Sequence, residues 1–221
     1  MTENLINGTE KQVVDFSSVA MFKGNPKYEQ AISRMTEIYK TDYDKRSPFE
    51  RDEHRILHST AYRRLKNKTQ VFFATDNDHI CTRIEHVCHV ASIAETIAKV
   101  LKLNLELVNA IAIGHDLGHA PFGHQGEYIL NDIVNEYGIQ KRFWHEGNSL
   151  NFVDNLETLP VYQGRQQNLN LTYAVRDGIV CHCGEVNDKI LKPRDEFCDL
   201  SAIQFASHLS QIGRASCRER V

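Results

Sequence analysis

No apolar run in this 221-residue chain approaches the roughly 18 residues that cross a bilayer, and the N-terminal MTENLINGTEKQ is too polar for a secretory leader. Both absences point away from membrane and secreted classes and toward the cytoplasm. Six cysteines (81, 88, 181, 183, 198 and 216) lack the spacing of a disulfide framework, which fits reduced thiols. Cys181 and Cys183 flank His182, but one CxC without a second pair is a weak zinc signal. Charge of one sign is missing as well. A net charge of -3 gives no global attraction to nucleic acid or an anionic membrane. There are no internal repeats or low-complexity tracts, and only Thr69 to Ala74 has β-like character.

What is present is helical patterning. At 41% hydrophobic, the chain can bury one domain's core. Residues 1–25 are polar and aperiodic and read as a flexible or loosely docked N-terminus. Tyr28 to Lys40 reads as a short amphipathic helix. Ser47-Pro48-Phe49-Glu50 supplies a cap, a first-turn proline and an early acid for a helix reaching about Leu65. Arg83 to Leu101 carries an apolar stripe at three- and four-residue steps, from Ile84 and Val87 to Ala98 and Leu101. Leu105 to Leu117 is apolar nearly all round, as a central core helix would be. Further helices are expected at 124–137, 146–158 and 171–183. The fold class is all-α.

The tail is treated separately. Ile212 to Val221, IGRASCRERV, back-translates as ATC GGA AGA GCG TCG TGT AGG GAA AGA GTG, which resembles a sequencing-library adapter read in frame. The expectation is a domain over 26–211 that is incomplete, with 212–221 an artefact and the natural protein continuing past about residue 211.

The densest chemistry lies between Gly114 and His124, where His115, Asp116, His119 and His124 fall within ten residues. His86 adds an imidazole from the preceding helix. Imidazole and carboxylate donors suit a divalent ion that activates water. Adjacent residues such as His115 and Asp116 project about 100° apart from one helix end. His54, His58, His79, His89, His182 and His208 are read as surface or satisfied core residues. Arg51, Arg55, Arg63, Arg64, Lys66 and Lys68 put six basic side chains against Asp52 and Glu53 in one 18-residue window, a basic patch suited to phosphate. Arg83 lies three residues before His86, on the same helix face.

His86 followed by His115-Asp116 resembles the HD superfamily of metal-dependent phosphohydrolases. Ser47-Pro48-Phe49-Glu50-Arg51-Asp52, His58 to Leu65, Lys68 to Phe72, Thr82 to His86, Gly114 to His124, Gly126-Glu127 and Asn168 to Thr172 are similar to its dGTPase-like branch, over about residues 45–200. The resemblance implies an α-helical HD bundle that hydrolyses a dNTP, with dGTP favoured, to deoxynucleoside and triphosphate. It implies His86, His115 and Asp116 as ligands of a divalent ion (Mn, Mg, Fe or Zn). His124 and Glu127 match a catalytic pair, which their i, i+3 spacing supports. His119 faces the same pocket, and His145-Glu146 matches an element closing over it. Arg83 matches a phosphate contact and Gln70 a deoxyribose contact; Arg55 and Arg64 belong to the basic cradle. Relatives imply a homo-oligomer at full length.

The resemblance also implies a fourth ligand, an Asp on a later helix, and no matching segment precedes the tail. Asp177, Asp188, Asp195 and Asp199 have the wrong surroundings. Weak ion binding and poor dNTP turnover are therefore expected of this chain. Two other readings stay open: a different HD enzyme such as a nucleotidase or phosphodiesterase, and a non-catalytic module binding nucleotide or single-stranded nucleic acid through residues 51–68.

Overall fold

A computed structural model describes residues 16, 19–38, 43–70, 79–139, 142–160, 166–182 and 197–203. Over these residues the fold is all-α, as the periodicity predicts. In chain order the helices are α1 (Tyr28–Ala31), α2 (Pro48–Leu57), α3 (Thr60–Arg64), α4 (Arg83–Val100), α5 (Leu105–Gly114), α6 (Gly123–Glu136), α7 (His145–Asn151) and α8 (Tyr173–Val180). Among the described residues, the paired strands are β1 (Leu159–Pro160) and β2 (Gln166–Gln167), two residues each and antiparallel. Thr69, from the β-like stretch, makes one isolated bridge to Thr82; residues 71–74 and the whole of 212–221 lie outside the described residues.

α5 is the centre. Asn104 caps its start by accepting from the Leu107 N–H, and seven of its ten residues are buried. It packs against α2, α4 and α8. A Cβ at Gly178 of α8 would strike the Ile111 side chain, so the missing side chain lets α5 and α8 close on each other. Val87, Ala94 and Ala98 of α4 are fully buried, while the rest of its predicted stripe is half-buried.

α1 and α2 are shorter than the pattern suggests, for identifiable reasons. α2 begins as expected, with a Ser47/Glu50 capping box and Pro48 in the first turn, but stops at Leu57. Ser59, buried and extended, donates to the Ile56 carbonyl and accepts from the Tyr62 N–H, so one hydroxyl ends α2 and caps α3. α1 stops at Ala31 because the next residues bond across the molecule. The Tyr173 N–H donates to the Ser33 carbonyl, and the Asn170 amide pairs with both main-chain groups of Thr36. At the N-terminal side, residues expected to be loosely held are docked: Ala20 and Met21 are buried, and the Asn104 amide donates to the Met21 carbonyl at 2.8 Å.

A polar tie joins the two halves of this core. Asp52, fully buried, pairs with Arg34 and accepts from the Thr172 N–H at 2.8 Å and hydroxyl at 2.7 Å. Arg34 also donates to the carbonyls of Asn170 and Pro48.

Candidate metal centre

α5 ends at Gly114, three residues earlier than expected. His115 is therefore its C-cap, and Asp116 lies in the turn that follows. That turn is held from two sides. Ser149 of α7 donates to the His115 carbonyl and accepts from the Gly118 N–H, while the Asn148 amide donates to the Gly118 carbonyl. Lys68 donates to the carbonyls of His119, at 2.8 Å, and Leu117. A Cβ at Gly118 would run into the main chain of Asn148 and Ser149, so only glycine permits the approach.

The result brings His86, His115 and Asp116 together: their donor atoms all lie within 4.8 Å of one another. Asp116 Oδ2 is 3.6 Å from His115 Nε2, 4.0 Å from His86 Nε2 and 3.0 Å from an Arg83 guanidinium nitrogen. The Nδ1–H of His115 donates to the Ala112 carbonyl at 2.7 Å, which leaves the lone pair on Nε2, facing Asp116. Burial opposes ionisation of Asp116, but His115 and Arg83 outweigh it and hold its carboxyl well below the usual carboxylate range. Two imidazole nitrogens and an ionised carboxylate fit a divalent ion such as Mn, Fe or Zn, and also Mg with retained water.

A second group adjoins the first. His119 stacks on His145 with ring centroids 4.8 Å apart, and His124 lies 5.1 Å from His119. Burial pushes the His119 imidazole down to about 3, so it is neutral near pH 7. Glu127 Oε2 is 3.0 Å from His145 Nδ1 and 3.8 Å from His124 Nδ1. The expected His124–Glu127 pair is thus a three-membered array in which the carboxylate sits closer to His145. Glu146 is 3.4 Å from the same His145 nitrogen. Although burial disfavours its charge, these two carboxylates raise the His145 pKa.

Four predicted substrate contacts fare differently. Arg83 is buried at Asp116, and Gln70 has a buried side-chain oxygen with no hydrogen-bond partner among the described residues. Its carbonyl and the Arg83 guanidinium both approach Gly123 at the start of α6. Arg64 is exposed on α3, with Lys68, Arg83 and Asp116 in electrostatic reach of one another; burial, then Arg64, push the Lys68 amine down to about 8. Arg55 departs from expectation. Its guanidinium donates to the Leu169 and Asn168 carbonyls and braces that segment. The basic window is similarly dispersed, with Arg51 paired to Asp44 and Lys68 turned to main-chain carbonyls.

His182, expected to be a surface or satisfied core residue, is placed by the fold beside the cluster. It is 3% exposed, its ring centroid 5.1 Å from that of His115 and 5.4 Å from that of His145.

The HD domain family matches residues 83–168, which hold His86, His115-Asp116, His124, Glu127 and His145. Over those residues the chain is similar to an HD domain. It is 42% identical over 170 residues to a deoxyguanosinetriphosphate triphosphohydrolase-like protein of Bartonella quintana, a match covering 77% of this chain and 40% of that protein. Like-named proteins of Desulfatibacillum aliphaticivorans (49% over 137 residues; 62% of this chain, 36% of the relative) and Bartonella henselae (40% over 181 residues; 82% and 43%) are similar to it too. The chain thus spans roughly two fifths of the length of these relatives.

Proposed function

We propose that this HD domain serves metal-dependent hydrolysis of a deoxynucleoside triphosphate, dGTP foremost, to deoxynucleoside and triphosphate. The observation that carries the reading is the contact of two groups: a seat of His86, His115 and Asp116, and a proton-handling array of His119, His124, Glu127 and His145 beside it. A divalent ion in that seat would supply Lewis-acid polarisation of the phosphate and lower the pKa of water. Arg83, Lys68 and Arg64 gather positive charge where a triphosphate's negative charge would lie. Neutral His119 can take a hydrogen bond from the attacking water. Glu127, between His124 and His145, stabilises positive charge on either imidazole, one of which gives its proton to the departing 5′ oxygen as the bond to the α-phosphorus breaks. The partnerless Gln70 oxygen is an acceptor for a sugar hydroxyl.

The names of the relatives support the substrate, and no helix among the described residues is long and apolar enough to cross a membrane. Among the described residues three protein donors form the seat, one fewer than the resemblance implies. Of the basic window, Arg51, Arg55 and Lys68 are committed to partners within the fold, while Arg63, Arg64 and Lys66 are exposed. Ion-exchange analysis of products from dGTP and Mn²⁺ tests the reading. Intact triphosphate is expected; phosphate or pyrophosphate as the first product would overturn it in favour of another HD chemistry.

A further inference from the structure

Phe122 holds a backbone conformation that its residue type rarely adopts. The Gly123 N–H donates to the Ala120 carbonyl at 3.3 Å, closing a turn with Pro121 and Phe122 at its corners. Phe122 has φ 64° and ψ 25°, at the left-handed corner that such a turn normally fills with glycine or asparagine. For a bulky side chain that conformation is a true outlier. The turn has little room to relax, since the start of α6 lies against it: a Cβ at Gly126 would strike the Pro121 carbonyl. The strain does not serve to bury the ring. Phe122 is 62% exposed, so much of its surface meets solvent alongside the contacts it makes within the fold. A strained corner that holds an aromatic ring out of the core is a signal of function.

The neighbours of the ring identify a ligand. Gly123, the next residue, lies beside an Arg83 guanidinium nitrogen and the Gln70 carbonyl, each 3.7 Å from the place its Cβ would take. His124 follows, its ring centroid 5.1 Å from that of His119. The turn therefore borders a basic group, the segment that carries the partnerless Gln70 amide oxygen, and an imidazole of the proton-handling array. Resting on the reading that puts the sugar of a dNTP at Gln70 and its 5′ oxygen at the imidazoles, we propose that Phe122 is the platform on which the nucleobase stacks. In a nucleotide the base lies across the sugar from the 5′ oxygen, and Phe122 offers an aromatic face at that edge of the site. Stacking is tolerant of sequence because every base has a π-face. The ring thus adds affinity for any dNTP and favours purines, whose larger surface overlaps it more, without reading a base edge.

The test is calorimetric titration of the full 221-residue chain in the presence of Mn²⁺, with two probes. One is the α-thio analogue of dGTP, which resists hydrolysis at the α-phosphorus. The other is inorganic triphosphate, which has no base. Phe122→Gly should weaken binding of the dGTP analogue about 5- to 150-fold, the worth of one stacked base, and leave inorganic triphosphate unchanged. Its thermal midpoint should stay level or rise, because glycine adopts the left-handed corner without strain. Phe122→Asn, the other residue at home in that corner, should give the same binding pattern. Wild-type affinity for the analogue in both variants would overturn the platform and leave the triphosphate reading standing. An equal loss for both probes would also overturn it, since the ring would then be supporting the turn alone. Binding of neither probe by the wild type would overturn the platform and the triphosphate reading together.

Discussion

Two buried aspartates, each paired with an arginine, divide this molecule between architecture and chemistry. Asp52 meets Arg34 and two donors of Thr172, and Arg34 spends its remaining reach on main-chain carbonyls. Every contact is a hydrogen bond from donor to acceptor, and the set ties α2 to the start of α8. Asp116 meets Arg83, but its other neighbours are imidazole nitrogens, and Arg83 Nε has no hydrogen-bond partner among the described residues. A satisfied buried network is a tie; a cluster of lone pairs around one ionised carboxylate is a site for a cation.

The contrast is broken most severely at Asp52. Removing one member of a buried ion pair strands the other, at a cost of about 3–5 kcal/mol. Asp52→Ala should therefore lower the unfolding free energy by that amount, measured by urea titration of the metal-free chain. If Asp52→Ala were nearly neutral, the tie would not be structural. Asp116→Asn should do the reverse. The amide still accepts from Arg83, so stability should change much less, while Mn²⁺ affinity, read by calorimetry, should fall by at least about 100-fold. Unchanged affinity would remove Asp116 from the seat.

Gly118 tests whether the site depends on the fit of its turn. Alanine there would push its Cβ into the main chain of α7, which has no flexible side-chain end to yield. Gly118→Ala should cost about 1–3 kcal/mol, as overpacked cores do. It should also weaken ion binding, because Ser149 and Asn148 would no longer hold the His115–Gly118 turn. Retention of both stability and affinity would show that the turn is positioned by other contacts.

The two regions also differ in how far they could be read from sequence. α4 and α5 were legible because their burial is written as local periodicity, and His115-Asp116 because the two residues adjoin. The tie at Asp52 was not, since its partners lie 18 and 120 residues away. The same holds for Ser59, whose hydroxyl turns one predicted helix into two, and for Arg55, whose charge was visible but whose carbonyl partners at 168 and 169 were not. His182 is the sharpest case: nothing local distinguishes it, and only the packing of α5 on α8 sets its ring against His115.

The smallest expected effect separates the regions by pH. In the metal-free chain the folded pKa of His145 lies above its ordinary 6.5, so its contribution is full below 6.5 and lost as pH rises through the folded value. Glu127 is held at about 2 against an ordinary 4.5: burial alone would raise it, but His124 and His145 prevail. Its contribution is full above 4.5 and lost as pH falls toward 2. The pair is thus worth most between about pH 4.5 and 6.5. Glu127→Gln removes one of the two carboxylates that raise His145, so the His145 pKa falls from its wild-type value. Thermal midpoints of variant and wild type should differ most in that window, with the gap narrowing as pH rises above 6.5. A constant gap for Glu127→Gln would mean that the His145–Glu127 contact is neutral packing, and the boundary between tie and site would then run through α7 itself.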